Sequence, residues 1–133
     1  MGDSADGCAR WRAEVEAFRQ GFGHPGQLTA ALRDAPVLLP VTPDDRLLIS
    51  TVRGVDWLCV FTGEAQYAAY LDARGAAAFA RYRALPGGRV LDEIAAALPR
   101  PTGVVVDAAG PTPMAFPPDT APGAFLDPAR AAR

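Results

Sequence analysis

The segment "VDWLCVFTGE", Val55–Glu64, joins a continuous apolar run to the start of a helix. Alternate side chains of a β-strand share a face, so Cys59 lies on the opposite face from Leu58 and Val60. Because both faces are apolar, we expect helices to cover the strand on at least one of them. Thr62 is placed to cap the helix that follows. The junction therefore predicts a strand packed under helices, with the cysteine as a small core residue.

The flanking sequence predicts the other elements by its spacing of apolar residues and by its turn residues. The predicted strands are Pro36–Val41, Arg46–Arg53, Asp56–Phe61 and Pro101–Asp107, with "MAF" at 114–116 as the hairpin partner of the last. The predicted helices are Ala9–Phe22, a short one with Leu28, Ala31 and Leu32 on one side, Glu64–Ala73, and Arg89–Leu98 with Leu91, Ile94, Ala95 and Leu98 inward. The segment 76–85 fits either a helix or an edge strand.

These elements predict an α/β fold of the α+β type, with a single mixed, largely antiparallel sheet and helices packed on it. The 133 residues are an ordinary size for one domain. The expected divisions are an N-terminal helical extension over residues 1–26, an α/β domain over 27–118 and an irregular, proline-rich tail over 119–133.

The composition excludes several classes of partner and compartment. The net charge is −2, so the chain has no general electrostatic attraction to nucleic acid or to anionic membranes. The first ten residues form no apolar leader, and no apolar run is long enough to span a bilayer. Two cysteines make neither a disulfide framework nor a metal-type spacing. We therefore expect a soluble, cytoplasmic protein with no membrane partner, and the charge disfavours nucleic acid as a partner.

Four segments together resemble the SseB (enhanced serine sensitivity) N-terminal domain family over roughly residues 27–118. They are "LTAALRDAPVLLPV", "WLCVFTGEAQYAAYL", "GGRVLDEIAAAL" and "GVVVDAAG". The resemblance implies a small α/β domain without established catalytic activity, and it transfers no functional residue. Relatives often carry Asn-Pro-Gly-like residues after the late strand, where this chain has Asp107-Ala-Ala-Gly110. The helix that contains Trp11 lies outside the resemblance.

The sequence predicts no catalytic residue, no cofactor and no metal site. A reactive cysteine needs exposure and a neighbouring base or positive dipole, whereas Cys59 lies in an apolar run. The one histidine, His24, has no Cys or His spacing around it that would build a zinc site. Thr62, Gly63 and Glu64 lack the several glycines and the basic residue of a phosphate loop.

The strongest sequence signal for an interaction is an apolar stripe on the first predicted helix, with side chains at spacings of four, three and four. Its members are Trp11, Val15, Phe18 and Phe22. Two interpretations stay open: the stripe packs on the chain's own sheet, or it docks on a second copy or another protein. Arg81 and Arg83, in a locally basic stretch, are candidate rim residues of such an interface.

The favoured function is a non-catalytic, cytoplasmic protein-interaction or regulatory module that associates with itself or with a protein partner. The alternative is a small-molecule sensor or a minor enzyme, with a pocket near the Thr62-Gly63-Glu64 helix start. A flat apolar patch would favour the first function, and a concave pocket with convergent polar groups would favour the second.

Overall fold

A computed structural model provides the fold, and it describes residues 2–75 and 81–118, with side chains from Cys8 onward. The helical elements are α1 (Gly2–Arg19), α2 (Pro25–Asp34), α3 (Glu64–Arg74), α4 (Gly87–Arg89), a π-helical segment (Val90–Ile94) and α5 (Ala95–Ala97). The strands are β1 (Pro36–Val41), β2 (Ile49–Val52), β3 (Val55–Val60), β4 (Arg81–Pro86), β5 (Thr102–Val106) and β6 (Met114–Phe116). The predicted proline-rich tail lies outside the described residues.

Strand β3 lies inside a four-stranded sheet of order β2-β3-β5-β6. It pairs antiparallel with β2 and parallel with β5, and β5 pairs antiparallel with β6. The β2–β3 turn has positive φ angles at both Arg53 (53°) and Gly54 (84°), the type I′ geometry that matches the twist of a hairpin. The predicted β2–β3 and β5–β6 hairpins are therefore confirmed.

Strands β1 and β4 form a separate antiparallel pair, which meets the larger sheet at Phe61. There Leu38 N–H donates to the Phe61 carbonyl at 2.7 Å, and Phe61 N–H donates to the Leu38 carbonyl at 3.0 Å. The α+β class and the mixed, largely antiparallel pairing are confirmed. The single predicted sheet divides into two, because β1 meets the end of β3 at one bridge and does not pair along its length.

The segment that the sequence left ambiguous contains a strand where it is described. Strand β4 pairs with β1 from Pro36–Pro86 to Val41–Arg81, and its side chains are mostly exposed. The pairing with β1 therefore decides between the two conformations that the sequence allowed for these residues. Residues 76–80 lie outside the described residues.

Two clusters of buried side chains hold the helices on the strands. The larger contains Leu58 and Val60 of β3 with residues of α1, α2 and β5. The smaller lies under α3, where Phe61 packs against Tyr67 and Leu71. Cys59 packs at the edge of the smaller cluster and is only half-buried. The opposite faces of β3 thus supply different cores, as its apolar pattern predicts.

The predicted helix Arg89–Leu98 contains a π-helical turn at Val90–Ile94. Within this segment Val90 is fully buried, whereas Leu91 and Ile94 are only partly buried against the large cluster. The predicted inward face is nevertheless confirmed, since Leu91, Ile94, Ala95 and Leu98 all pack against the large cluster while Asp92 and Glu93 are exposed. None of the helices in 2–75 and 81–118 is long and apolar enough to cross a membrane.

Candidate functional site

The apolar stripe of α1 divides into a buried half and an exposed half. Trp11 and Val15 are 3% and 5% exposed and belong to the large core cluster. The Trp11 ring lies 6.1 Å from that of Phe116, centroid to centroid. Phe18 and Phe22 are 39% and 77% exposed. Only these last two residues of the stripe remain accessible to a partner, and their binding to one stays a prediction.

A fixed backbone turn presents Phe22 to solvent. The Phe22 N–H donates to the Ala17 carbonyl at 2.9 Å, and the Gly21 N–H donates to the Phe18 carbonyl at 3.1 Å. With Gly21 at φ 87°, this pattern is a Schellman C-cap. Gly23 passes close to Phe18, because a Cβ at Gly23 would lie 2.7 Å from the Phe18 Cα atom. We name the surface formed by Phe18 and Phe22 the α1 apolar end.

The candidate rim arginines contact groups of their own chain. Arg81 donates to the carbonyl oxygen of Pro43, and Arg83 forms two hydrogen bonds with the carboxylate of Asp45. The hydrogen bond from Arg83 is the main cause that lowers the pKa of Asp45 below its ordinary value. Both side chains therefore tie β4 to the turn after β1, and their role at the rim of an interface stays a prediction.

Thr62 does not cap α3 as its sequence position predicts. Its backbone N–H donates to Oδ1 of Asp107 at 2.9 Å, and its hydroxyl donates to Oδ2 at 2.7 Å. The N-cap position is Gly63, which has no side chain to supply a cap. The Thr62 hydroxyl binds Asp107 because the parallel strands β3 and β5 end at the same edge of the sheet, which brings Thr62 and Asp107 together.

No structural role was predicted for Asp107 from the sequence. Its segment was noted only because relatives often carry Asn-Pro-Gly-like residues there. Its φ of 54° is a left-handed conformation that Asp tolerates better than most residues. Its own N–H donates to the Val60 carbonyl at 2.9 Å, so backbone and side chain both bind the end of β3. The available signal was the position of an aspartate at the end of the predicted buried strand Pro101–Asp107.

A cleft of about 350 Å³ opens beside Asp107, between α1, the start of α3 and the loop 110–112. Its polar lining comes from three elements: Arg12, Glu16 and Arg19 from α1, Thr62 and Gln66 beside α3, and Asp107 and Thr112 after β5. Glu16 is paired with Arg19 at 3.2 Å. Arg12 has no ion-pair partner in the described part of the chain. The cleft thus contains the guanidinium of Arg12, which has no ion-pair partner among the described residues. It also contains the carboxylate of Asp107, which accepts hydrogen bonds from Thr62.

Both cysteines have thiols that resist ionisation. Cys8 is buried and donates to the Thr62 carbonyl at 3.3 Å. Burial raises the pKa of Cys8, although the charge of Arg12 opposes the shift. Burial also raises the pKa of Cys59, against smaller opposing effects of a Tyr70 hydrogen bond and the charge of Arg74. Neither thiol has the thiolate-stabilising environment of a nucleophile.

We expect Cys59 in the native protein to be alkylated more slowly than an exposed thiol at neutral pH. Its folded pKa is raised, so the thiolate fraction stays low until the pH passes the ordinary value of 9.0. Alkylation by iodoacetamide, followed by mass spectrometry from neutral to alkaline pH, measures this profile. The urea-unfolded chain is the control and should react with an ordinary thiol profile. A native midpoint at or below that of the unfolded chain would contradict the burial assignment.

The described residues contain no group of three or more His, Cys, Asp or Glu side chains that could hold a metal ion. His24 precedes α2 and makes no side-chain cap there.

A family model described as the SseB protein N-terminal domain matches residues 12–120. No curated protein sequence matches the chain, and no solved structure does. The match begins at Arg12 and so includes the C-terminal part of α1 (Gly2–Arg19), a helix that the resemblance inferred from the sequence left out. This agrees with the packing of Val15 in the common core. The chain belongs to the SseB N-terminal domain family.

Proposed function

We propose that the chain is a non-catalytic, cytoplasmic protein-interaction or regulatory module that associates with itself. The observation that carries this proposal is the α1 apolar end, where Phe22 is 77% exposed on a turn fixed by backbone hydrogen bonds. Burying a phenylalanine side chain is worth about 1.5–3 kcal/mol. Because backbone hydrogen bonds already fix this turn, its main chain loses little conformational entropy on binding, so more of that free energy reaches the complex.

We expect Phe22→Ser to lower the average mass of the protein in solution, measured by light scattering over a range of concentrations. The substitution removes exposed apolar area and leaves the backbone of the Schellman turn in place. Ala13→Ser, at an exposed position of the same helix, is the matched control and should leave the mass unchanged. A native protein that is monomeric throughout would contradict self-association. An assembly that both variants leave intact would contradict the α1 apolar end as its contact.

A second candidate function, binding of a small charged molecule, is supported by the cleft beside Asp107. Ligand sites are concave, commonly occupy about 300–1,000 Å³ and combine apolar walls with a few convergent polar groups. Here Trp11 and Val15 contribute apolar wall, and Arg12 contributes a guanidinium with no ion-pair partner among the described residues. Two arginines and two carboxylates line the cleft, so it suits a small molecule whose anionic group can reach Arg12.

A thermal-shift screen of small carboxylates and phosphates tests the second candidate. A true ligand should raise the melting temperature of the native protein and have a much smaller effect on Arg12→Ala. Arg10→Ala is the matched control, because Arg10 pairs with Asp34 at 2.8 Å and does not line the cleft. Equal shifts in both variants would show that the compounds do not use Arg12.

A further inference from the structure

Among the described residues, 2–75 and 81–118, strand β2 is an open edge of the four-stranded sheet, since only β3 pairs with it there and on one side. Val52 and Val55 flank the two-residue type I′ turn and therefore form a hydrogen-bonded pair. Pairs alternate along an antiparallel ladder, so the N–H and C=O groups of Ser50 also face β3. Those of Ile49 and Thr51 point the other way, toward the open edge. An extended strand is the structure whose donors and acceptors match such an edge.

The side chains of this edge are unusually apolar for an exposed strand. The described part of the chain exposes six large hydrophobic side chains, and Leu48, Ile49 and Val52 are three of them. No charged residue lies between Arg46 and Arg53. Proteins commonly protect edge strands with charges, prolines or a covering loop. The segment Ile49–Val52 has no charged residue and no proline.

We propose that two copies of the chain pair antiparallel along β2, with Thr51 of one copy opposite Thr51 of the other on a two-fold axis. The inference deepens the proposed self-association but uses a surface other than the α1 apolar end. In this register the outward peptide groups of Thr51 pair with their counterparts, and Val52 of each copy lies opposite Ser50 of the other. The Thr51 hydroxyl donates to Oδ1 of Asp56 at 2.7 Å within its own chain, so the proposed pairing rests on the backbone groups of Thr51.

The neighbouring structure selects this register over one centred on Ser50. Leu47 already pairs with Val41, and the Thr42 N–H donates to the Arg46 carbonyl at 2.8 Å. A register centred on Ser50 would carry the Arg53–Gly54 turn of each copy past Leu47 and into this occupied segment. The register centred on Thr51 ends with Arg53 opposite Ile49 and avoids the collision.

The absence of charge on Ile49–Val52 and the small area that this edge can bury together indicate weak pairing with a second copy. Because Ile49–Val52 carries no charge, the pairing places no like charges opposite each other in the strand, and the outward donor and acceptor of Thr51 meet those of the other copy. Four residues of edge bury far less than the roughly 1,200 Å² of a stable interface. The pair is therefore a reversible, concentration-dependent contact, for which a covalent trap is the appropriate probe.

Cysteine cross-linking tests the contact and its register. We expect Thr51→Cys to form a disulfide-linked dimer at least about tenfold faster than Ser50→Cys under mild oxidation, because only the first places its two Cα atoms within disulfide range. Both positions lie on β2, which makes Ser50→Cys the matched control. The native protein controls for Cys8 and Cys59. Each reaction is repeated in the Phe22→Ser background, which removes the contact at the α1 apolar end.

Fast cross-linking of Thr51→Cys in both backgrounds supports the β2 pair. Equal or faster cross-linking of Ser50→Cys overturns the proposed register. If neither variant cross-links above the native protein while light scattering shows an assembly sensitive to Phe22→Ser, the β2 pair is wrong and the proposed function stands. If Thr51→Cys cross-links and Phe22→Ser does not change the mass of the native assembly, the β2 pair stands and the contact at the α1 apolar end is wrong.

Discussion

Gly87→Ala is expected to destabilise the protein by about 3 kcal/mol or more, the upper range for added atoms in a packed core. A Cβ at Gly87 would lie 2.0 Å from the carbonyl oxygen of Leu32 and 2.9 Å from its carbonyl carbon. Both atoms belong to the backbone of α2, so no side-chain rotation can make room. The Gly87 N–H also donates to the Ala35 carbonyl at 2.8 Å, which holds the two segments together.

Urea denaturation measures this effect as a lower transition midpoint, interpreted with the slope of the transition. Gly88→Ala is the matched control, because its Cβ would lie 3.3 Å from the Arg33 carbonyl, a contact that a small shift relieves. We expect that variant to stay within about 1 kcal/mol of the native protein. Similar stabilities for the two variants would contradict the close approach of α4 to α2.

Trp11→Ala is expected to destabilise the protein by about 3–5 kcal/mol, the range for removing a buried aromatic side chain. Trp11 is 3% exposed, and its ring contacts that of Phe116 across the large core cluster. The substitution would leave a cavity between α1 and β6 that neither element can close alone. Thermal and urea unfolding both measure the loss.

Phe22→Ala on the same helix stripe is the matched control. Its side chain is 77% exposed, so we expect a change within about 0.5 kcal/mol. A folded Trp11→Ala protein of native stability would contradict the assignment of α1 to the core. Equal large losses for both variants would instead show that the α1 apolar end is covered within the chain.

Local pattern was sufficient to predict much of the fold. The bounds of β1 at Pro36–Val41 were predicted exactly, because a short branched run lies between a helix and a proline-containing turn. The helix after "FTGE" begins at Glu64 as predicted. The two hairpins were predicted because glycine and proline mark their turns. In each case the residues that determine the element are neighbours in sequence.

Other features depend on contacts between distant segments. The stripe on α1 is continuous in sequence, yet its division between core and surface depends on where α1 ends relative to β6. From the sequence, the hydroxyl of Thr62 could cap α3 or bind another group. It binds Asp107 because the fold places that residue at the end of the adjacent strand. The π-helical turn at Val90–Ile94 likewise has no marker in the local apolar spacing.

The sequence by itself determined the α+β class, the position of most elements, the family resemblance and the separation of the two faces of β3. These follow from the period of apolar residues and from turn chemistry, which act over a few residues. Only the tertiary structure decided that Trp11 is core while Phe22 is exposed, that Arg81 and Arg83 bind their own chain, and that β2 is an open edge. Burial and pairing depend on which distant segments meet, and no local spacing encodes that.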